Sequence, residues 1–166
     1  MRRLVPWIVV PLAFGCEGEL PDINIFTIQD DIDLGAQLAE EIAANPDVYG
    51  PILDPVEYAD AYGHLNGLRD AILDSGEVSY AEEFGWETHI IQDDAVLNAF
   101  AAPGGYIYVY TGLVRYLETE DQLAGVMGHE IAHAANRHST EQLTKAYGID
   151  TLLSVIFEDP GVIGDV

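Results

Sequence analysis

The chain has one cysteine, six basic residues against 29 acidic ones, no internal repeat and no low-complexity stretch. Each shortage excludes something. With Cys16 alone there is no internal disulfide framework. With so few lysines and arginines the formal net charge is −23, and such a surface repels nucleic acid and anionic lipid, so neither is an expected partner. The acidic residues are scattered rather than gathered in a block, which reads as a solvated acidic surface. A membrane-crossing helix needs about 20 consecutive apolar residues, and no segment of this sequence supplies them. The 166 residues are 49% hydrophobic and 21% charged, which fits one globular domain rather than a disordered tail.

The first residues have a layout of their own. Met1-Arg2-Arg3 is positive, 4–14 is an uncharged apolar run, and Ala13 and Gly15 place small residues three and one before Cys16. That is the pattern of a secretory signal peptide over 1–15, removed to leave 16–166 as the mature domain. A cysteine at the cut site also resembles the lipobox of bacterial lipoproteins, although Ala13 stands where Leu is usual and Phe14 where a small residue is usual. Two fates therefore remain open for Cys16: the lipidated first residue of an exported bacterial protein, or a free thiol after ordinary cleavage.

Further along, the apolar spacing of Ile32, Leu34, Leu38 and Ile42 predicts a helix over 30–44, stopped by Asn45-Pro46. Residues 47–55 read as a loop and 56–73 as a second helix weakened by Gly63 and Gly67. The period then changes to alternation. Strands are expected over 86–90, 98–102 and 106–110, with Pro103-Gly104-Gly105 as a tight turn between the last two. Helical periodicity returns over 120–137, with Glu120 and Asp121 suiting the dipole at its start, and again over 140–157. The sum is an α+β fold, mainly helical, with a small antiparallel sheet.

The chemistry is concentrated in His129-Glu130-Ile131-Ala132-His133, an H-E-x-x-H pattern. Residues four apart on a helix share a face, about 40° apart around the axis, so two imidazoles so placed can bind one Zn²⁺. Glu130 lies about 100° round from His129, beside such an ion, where it can take a proton from water. A helical histidine is more often a packed or surface residue than a ligand. Here, however, Leu123, Met127 and Ile131 form an apolar stripe roughly opposite His129 and His133. The histidines are not needed to fill the core. The longer pattern H-E-x-x-H-x-x-G-x-x-H is excluded, because Asn136 stands at the glycine and Ser139 at the final histidine. On a continuous helix His138 would point about 180° from His129; it is read as structural, or as a support behind a ligand.

These residues resemble peptidase family M48, the gluzincins. Asn98-Ala99-Phe100-Ala101-Ala102-Pro103-Gly104-Gly105-Tyr106-Ile107-Tyr108-Val109 is similar to the family's block before the zinc helix, and Thr111-Gly112-Leu113 continues it. Glu120-Asp121-Gln122-Leu123-Ala124 leads into Val126-Met127-Gly128-His129-Glu130 as in the family, and Asn24-Ile25-Phe26 with Leu34-Gly35 resembles its N-terminal helix. The resemblance implies a zincin-like fold, one Zn²⁺ per chain held by His129 and His133, and Glu130 as the catalytic base. It implies that Asn98, Ala99, Phe100 and Ala101 lie on an edge strand that pairs with an unfolded or extended polypeptide substrate. It also implies an exported endopeptidase of the bacterial periplasm or outer membrane, acting on exported or misfolded envelope proteins.

In that family the third zinc ligand is a glutamate on a later helix, several tens of residues past the motif. Glu141 and Glu158 stand at the wrong spacing, so the resemblance places that glutamate beyond Val166 and makes 16–166 a domain incomplete at its C-terminus. A different class of function therefore stays open: a non-catalytic, chaperone-like envelope module with a remnant zinc site, which binds chains by strand addition and is indifferent to chelators. A purely structural zinc site is disfavoured by two ligands on one helix with no cysteine partners.

Overall fold

A computed structural model describes residues 24–147. The signal sequence expected over 1–15, Cys16 and the far half of the helix expected over 140–157 lie outside the described residues. The elements are α1 (Ile28–Ala44), α2 (Pro46–Tyr49), α3 (Ala59–Leu73), β1 (Glu87–Ile91), β2 (Ala99–Ala102), a 3₁₀ turn (Pro103–Gly105), β3 (Tyr106–Tyr110), α4 (Thr111–Tyr116), α5 (Glu120–Ala135) and α6 (His138–Tyr147).

The three strands fall where alternation predicts them, but the sheet is mixed rather than antiparallel. Its order is β1-β3-β2; β2 runs antiparallel to β3, and β1 pairs with β3 in parallel, His89 opposite Tyr108. The reason is order, not propensity. The chain reverses once between β1 and β2 and again at Pro103–Gly105. Because β3 then inserts beside β1, two reversals bring it back to the direction of β1. The expected strand also starts one residue late, because Trp86 sits at φ 44° and turns the chain before the ladder begins.

Alternation gives the sheet two packed faces. Ile90, Ala99, Ile107 and Val109 face Leu123, Met127 and Ile131 of α5 and Tyr62 and Leu65 of α3. Ile91, Ala102, Tyr108 and Tyr110 pack on the other side with Ile42, and with the partly buried Leu38 and Phe100. There an aromatic stack crosses all three strands: His89 lies 5.0 Å from Tyr108 and Phe100 lies 4.7 Å from it on the other side, both near-parallel. The outer edge of β1 is covered by 51–53, where Leu53 N–H donates to Ile90 and Gln92 N–H donates to Pro51. The loop expected over 47–55 thus contains one helical turn and one piece of edge pairing.

Helix α1 begins two residues before its expected start because Thr27 and Asp30 form a reciprocal capping box. It buries Asp31, Gly35 and Ile42. Gly35 faces the 3₁₀ turn so closely that an added Cβ would overlap the Pro103 carbonyl. In that turn Gly104 and Gly105 adopt φ 73° and 93°, which favour glycine.

Two outcomes follow from this packing. Gly35→Ala should lower unfolding stability by about 1–3 kcal/mol, as overpacking does, read from urea midpoints. The second concerns alkaline pH. Burial pushes the Tyr108 hydroxyl up to about 12, and that hydroxyl has no hydrogen-bond partner among the described residues. A folded-state value above the ordinary one of about 10 gives a contribution complete below pH 10 and lost as pH rises toward 12. Stability should therefore fall across that window. Tyr108→Phe should flatten the fall while costing little at pH 7, as urea midpoints measured from pH 7 to 12 will show.

Candidate metal centre

Helix α5 is capped by Thr119, whose hydroxyl accepts from Gln122 N–H, and carries Glu120 and Asp121 in its first turn. Its buried positions are Leu123, Met127, Ile131, Ala134 and Ala135. With that stripe on the sheet, His129 is exposed and Glu130 and His133 are half-buried. The imidazoles of His129 and His133 face each other edge to face, with their Nε2 atoms 3.0 Å apart. Two nitrogens on a tetrahedral zinc, each about 2.0–2.1 Å from it, stand about 3.3 Å apart. The pair is therefore preset to within a few tenths of an ångström for sharing one ion, and neutral imidazole is a donor that zinc accepts. Among the described residues no group of three or more His, Cys, Asp or Glu is gathered for a metal.

Glu130 sits between the pair and the sheet. Burial raises its carboxyl above the ordinary range, while His129, His133 and a hydrogen bond from the Ala101 backbone pull it back down. That bond identifies the neighbouring strand as β2. Tyr110 N–H donates to Asn98, and antiparallel pairs alternate, so Phe100 and Ala102 exchange bonds with β3 while the peptide groups of Ala99 and Ala101 point to the outer edge. Of the four strand residues expected to meet substrate, Ala99 and Ala101 present backbone there. Asn98 and Ala99 line an open cavity of about 460 Å³ that also touches His129 and Glu130. Phe100 turns its ring to the far face, onto Tyr108.

The apolar wall of that cavity is Leu97, Leu113 and Val126, with Gly125 at an open position. Sequence reasoning did not find these residues. Nothing local marks Leu97 and Leu113, which come to the site only because the chain reverses around β2 and β3. A second, smaller apolar cavity of about 180 Å³ between Leu53, Leu65, Ile90 and Leu123 has no contact with the histidine pair.

The expected geometry of His138 needs correction. The helix is not continuous to that residue: α5 ends at Ala135, and Arg137 adopts φ 58° before α6 begins. The turn swings His138 back, and its Nδ1 lies 2.8 Å from Nδ1 of His133. Arg137 is held by an ion pair to the buried Asp31 and by bonds to the carbonyls of Phe26 and Thr27. Asn24 donates to Thr140 at 2.8 Å, tying the same N-terminal segment to α6. No sequence signal pairs Asp31 with a cation 106 residues later.

A His-Glu-x-x-His helix lying along a small mixed sheet defines a zincin-like α+β protein. The family model described as Peptidase family M48 matches residues 62–162, and the chain belongs to that family of metallopeptidases. Among curated relatives, a putative beta-barrel assembly-enhancing protease of Vibrio cholerae is 32% identical over 126 residues, covering 72% of this chain and 24% of that protein. The mitochondrial metalloendopeptidase OMA1 of Arabidopsis thaliana is 35% identical over 80 residues, 48% of this chain and 16% of that protein. The beta-barrel assembly-enhancing protease of Yersinia pestis is 26% identical over 170 residues, 94% of this chain and 32% of that protein. The chain thus spans about a third or less of the length of these relatives.

The Asp31–Arg137 pair is buried on the Asp31 side, so removing one partner strands a charge. Asp31→Ala should cost about 3–5 kcal/mol, measured by denaturant unfolding, because the turn at Arg137 loses its anchor.

Proposed function

We propose that this chain is the zinc-peptidase portion of an exported protein, with His129 and His133 as metal ligands, Glu130 as general base and the outer edge of β2 as the substrate strand. The observation that carries the reading is the approach of two Nε2 atoms to 3.0 Å beside a half-buried carboxylate, next to the outer edge of β2. Zinc bound at the pair supplies Lewis acidity, polarising a carbonyl and making water easier to deprotonate. The outward peptide groups of Ala99 and the outward carbonyl of Ala101 pair with an extended polypeptide, which selects unfolded segments over folded ones. A substrate side chain enters the cavity walled by Leu97, Leu113 and Val126. Glu130 takes the proton from water on its carboxylate and delivers it to the leaving amine.

Export to a bacterial envelope rests on the basic start, the apolar run and Cys16, with lipid attachment at Cys16 as the anchor and envelope polypeptides as substrates. No helix among the described residues is long and apolar enough to cross a membrane.

Glu130→Gln should retain zinc at the level of the parent protein and lose about 10²–10⁴-fold in casein hydrolysis, whereas His129→Ala should lose zinc. Cleavage by Glu130→Gln at the parental rate would sink the mechanism. Casein binding without cleavage, unchanged by a chelator, would replace the enzyme with the strand-binding module.

A further inference from the structure

The His133–His138 contact has chemical content that packing alone does not explain. His133 presents Nε2 toward His129 and Nδ1 toward His138 at 2.8 Å. A ligand bonded through Nε2 keeps its proton on Nδ1, and that N–H needs an acceptor. At this distance the only atom of His138 offered is its Nδ1, which accepts when the His138 proton is on Nε2. The rings stand at 74° with centroids 4.9 Å apart, so the contact is an in-plane nitrogen approach rather than a stack. The position of His138 is imposed from outside the site. Arg137 is held at φ 58° by Asp31 and the carbonyls of Phe26 and Thr27, and the buried Thr140 is bonded to Asn24 and to the Arg137 carbonyl. The backbone is thus fixed one residue before His138 and two after it.

We infer that His138 is a positioning residue for the metal: as the neutral Nε2–H tautomer it accepts the Nδ1–H of His133, fixing that ring so that Nε2 faces the ion. An imidazole acceptor orients the ligand without adding negative charge, unlike the carboxylate often found in this role. The inference rests on the proposed role of His133 as an Nε2 ligand.

The test is Zn²⁺ affinity of the full chain by chelator competition, with Co²⁺ absorption as a second readout. His138→Phe keeps the ring's bulk and removes the acceptor. It should bind about 10–100-fold more weakly, with a shifted Co²⁺ spectrum and a Tm close to the parent's. His138→Asn, which restores a side-chain oxygen, should recover part of the loss. Parental affinity and spectrum in His138→Phe would overturn the inference. Nitrogen-15 NMR of the zinc-loaded parent needs no variant: His138 should be the Nε2–H tautomer, and a proton on its Nδ1 would also overturn the proposal. If instead the parent binds no zinc, or His133→Ala binds as tightly as the parent, the metal-ligand reading itself falls, whatever His138 does.

Discussion

A helix can present only one face to a sheet, and for α5 that face is set by burying Leu123, Met127 and Ile131 against Ile90, Ala99, Ile107 and Val109. Burying each of these three side chains contributes about 1.5–3 kcal/mol. Rotating the helix by one residue, about 100°, would forfeit most of that. The rotation therefore stays fixed, and His129 and His133 are turned out while Glu130 is drawn toward β2. Metal ligands on a helix need no dedicated scaffold when the apolar stripe on the opposite side fixes their direction. The same packing brings β2 alongside the histidines, so the outer edge of that strand and the direction of the histidine pair share one cause.

The second constraint is the end of that helix. Holding a non-glycine residue in the left-handed region costs on the order of 1–3 kcal/mol, and Arg137 is such a residue. Its guanidinium offsets this with three bonds to the N-terminal segment, one of them to a buried carboxylate. Charge-assisted bonds of this kind are about twice as strong as neutral ones. The bend that stops α5 is thus held by residues more than a hundred positions earlier. The N-terminal helix acts on the site without touching it, by deciding where His138 lies behind His133.

What the sequence discloses and what it hides divide along contact range. The apolar period of α5 placed Leu123, Met127 and Ile131 on its core face, and the alternation over 86–110 located three strands, because both patterns are local. The H-E-x-x-H spacing fixed the histidine pair for the same reason. Strand order did not show, since alternation says which residues face inward but not which strand becomes a neighbour. The expected antiparallel sheet failed there. The direction of His138 did not show, because it depends on the bend at Arg137, whose positive φ is supported by Asp31, and nothing near position 137 announces it. The early start of α1 was missed because Asp30 fills the capping-box position where Glu or Gln is the usual signal.

The charge balance bears on the site in a way that composition alone leaves ambiguous. Arg69 pairs with Asp70, Arg115 with Asp94, Arg137 with Asp31 and Lys145 with Glu141, so the basic residues of 24–147 are spent on neighbouring acids. The remaining carboxylates dominate the field. At physiological salt an exposed charge is felt over about 8 Å, so the effect on the ion is collective and modest, yet its sign is unambiguous: divalent cations and basic polypeptide segments are concentrated near the surface and acidic ones repelled.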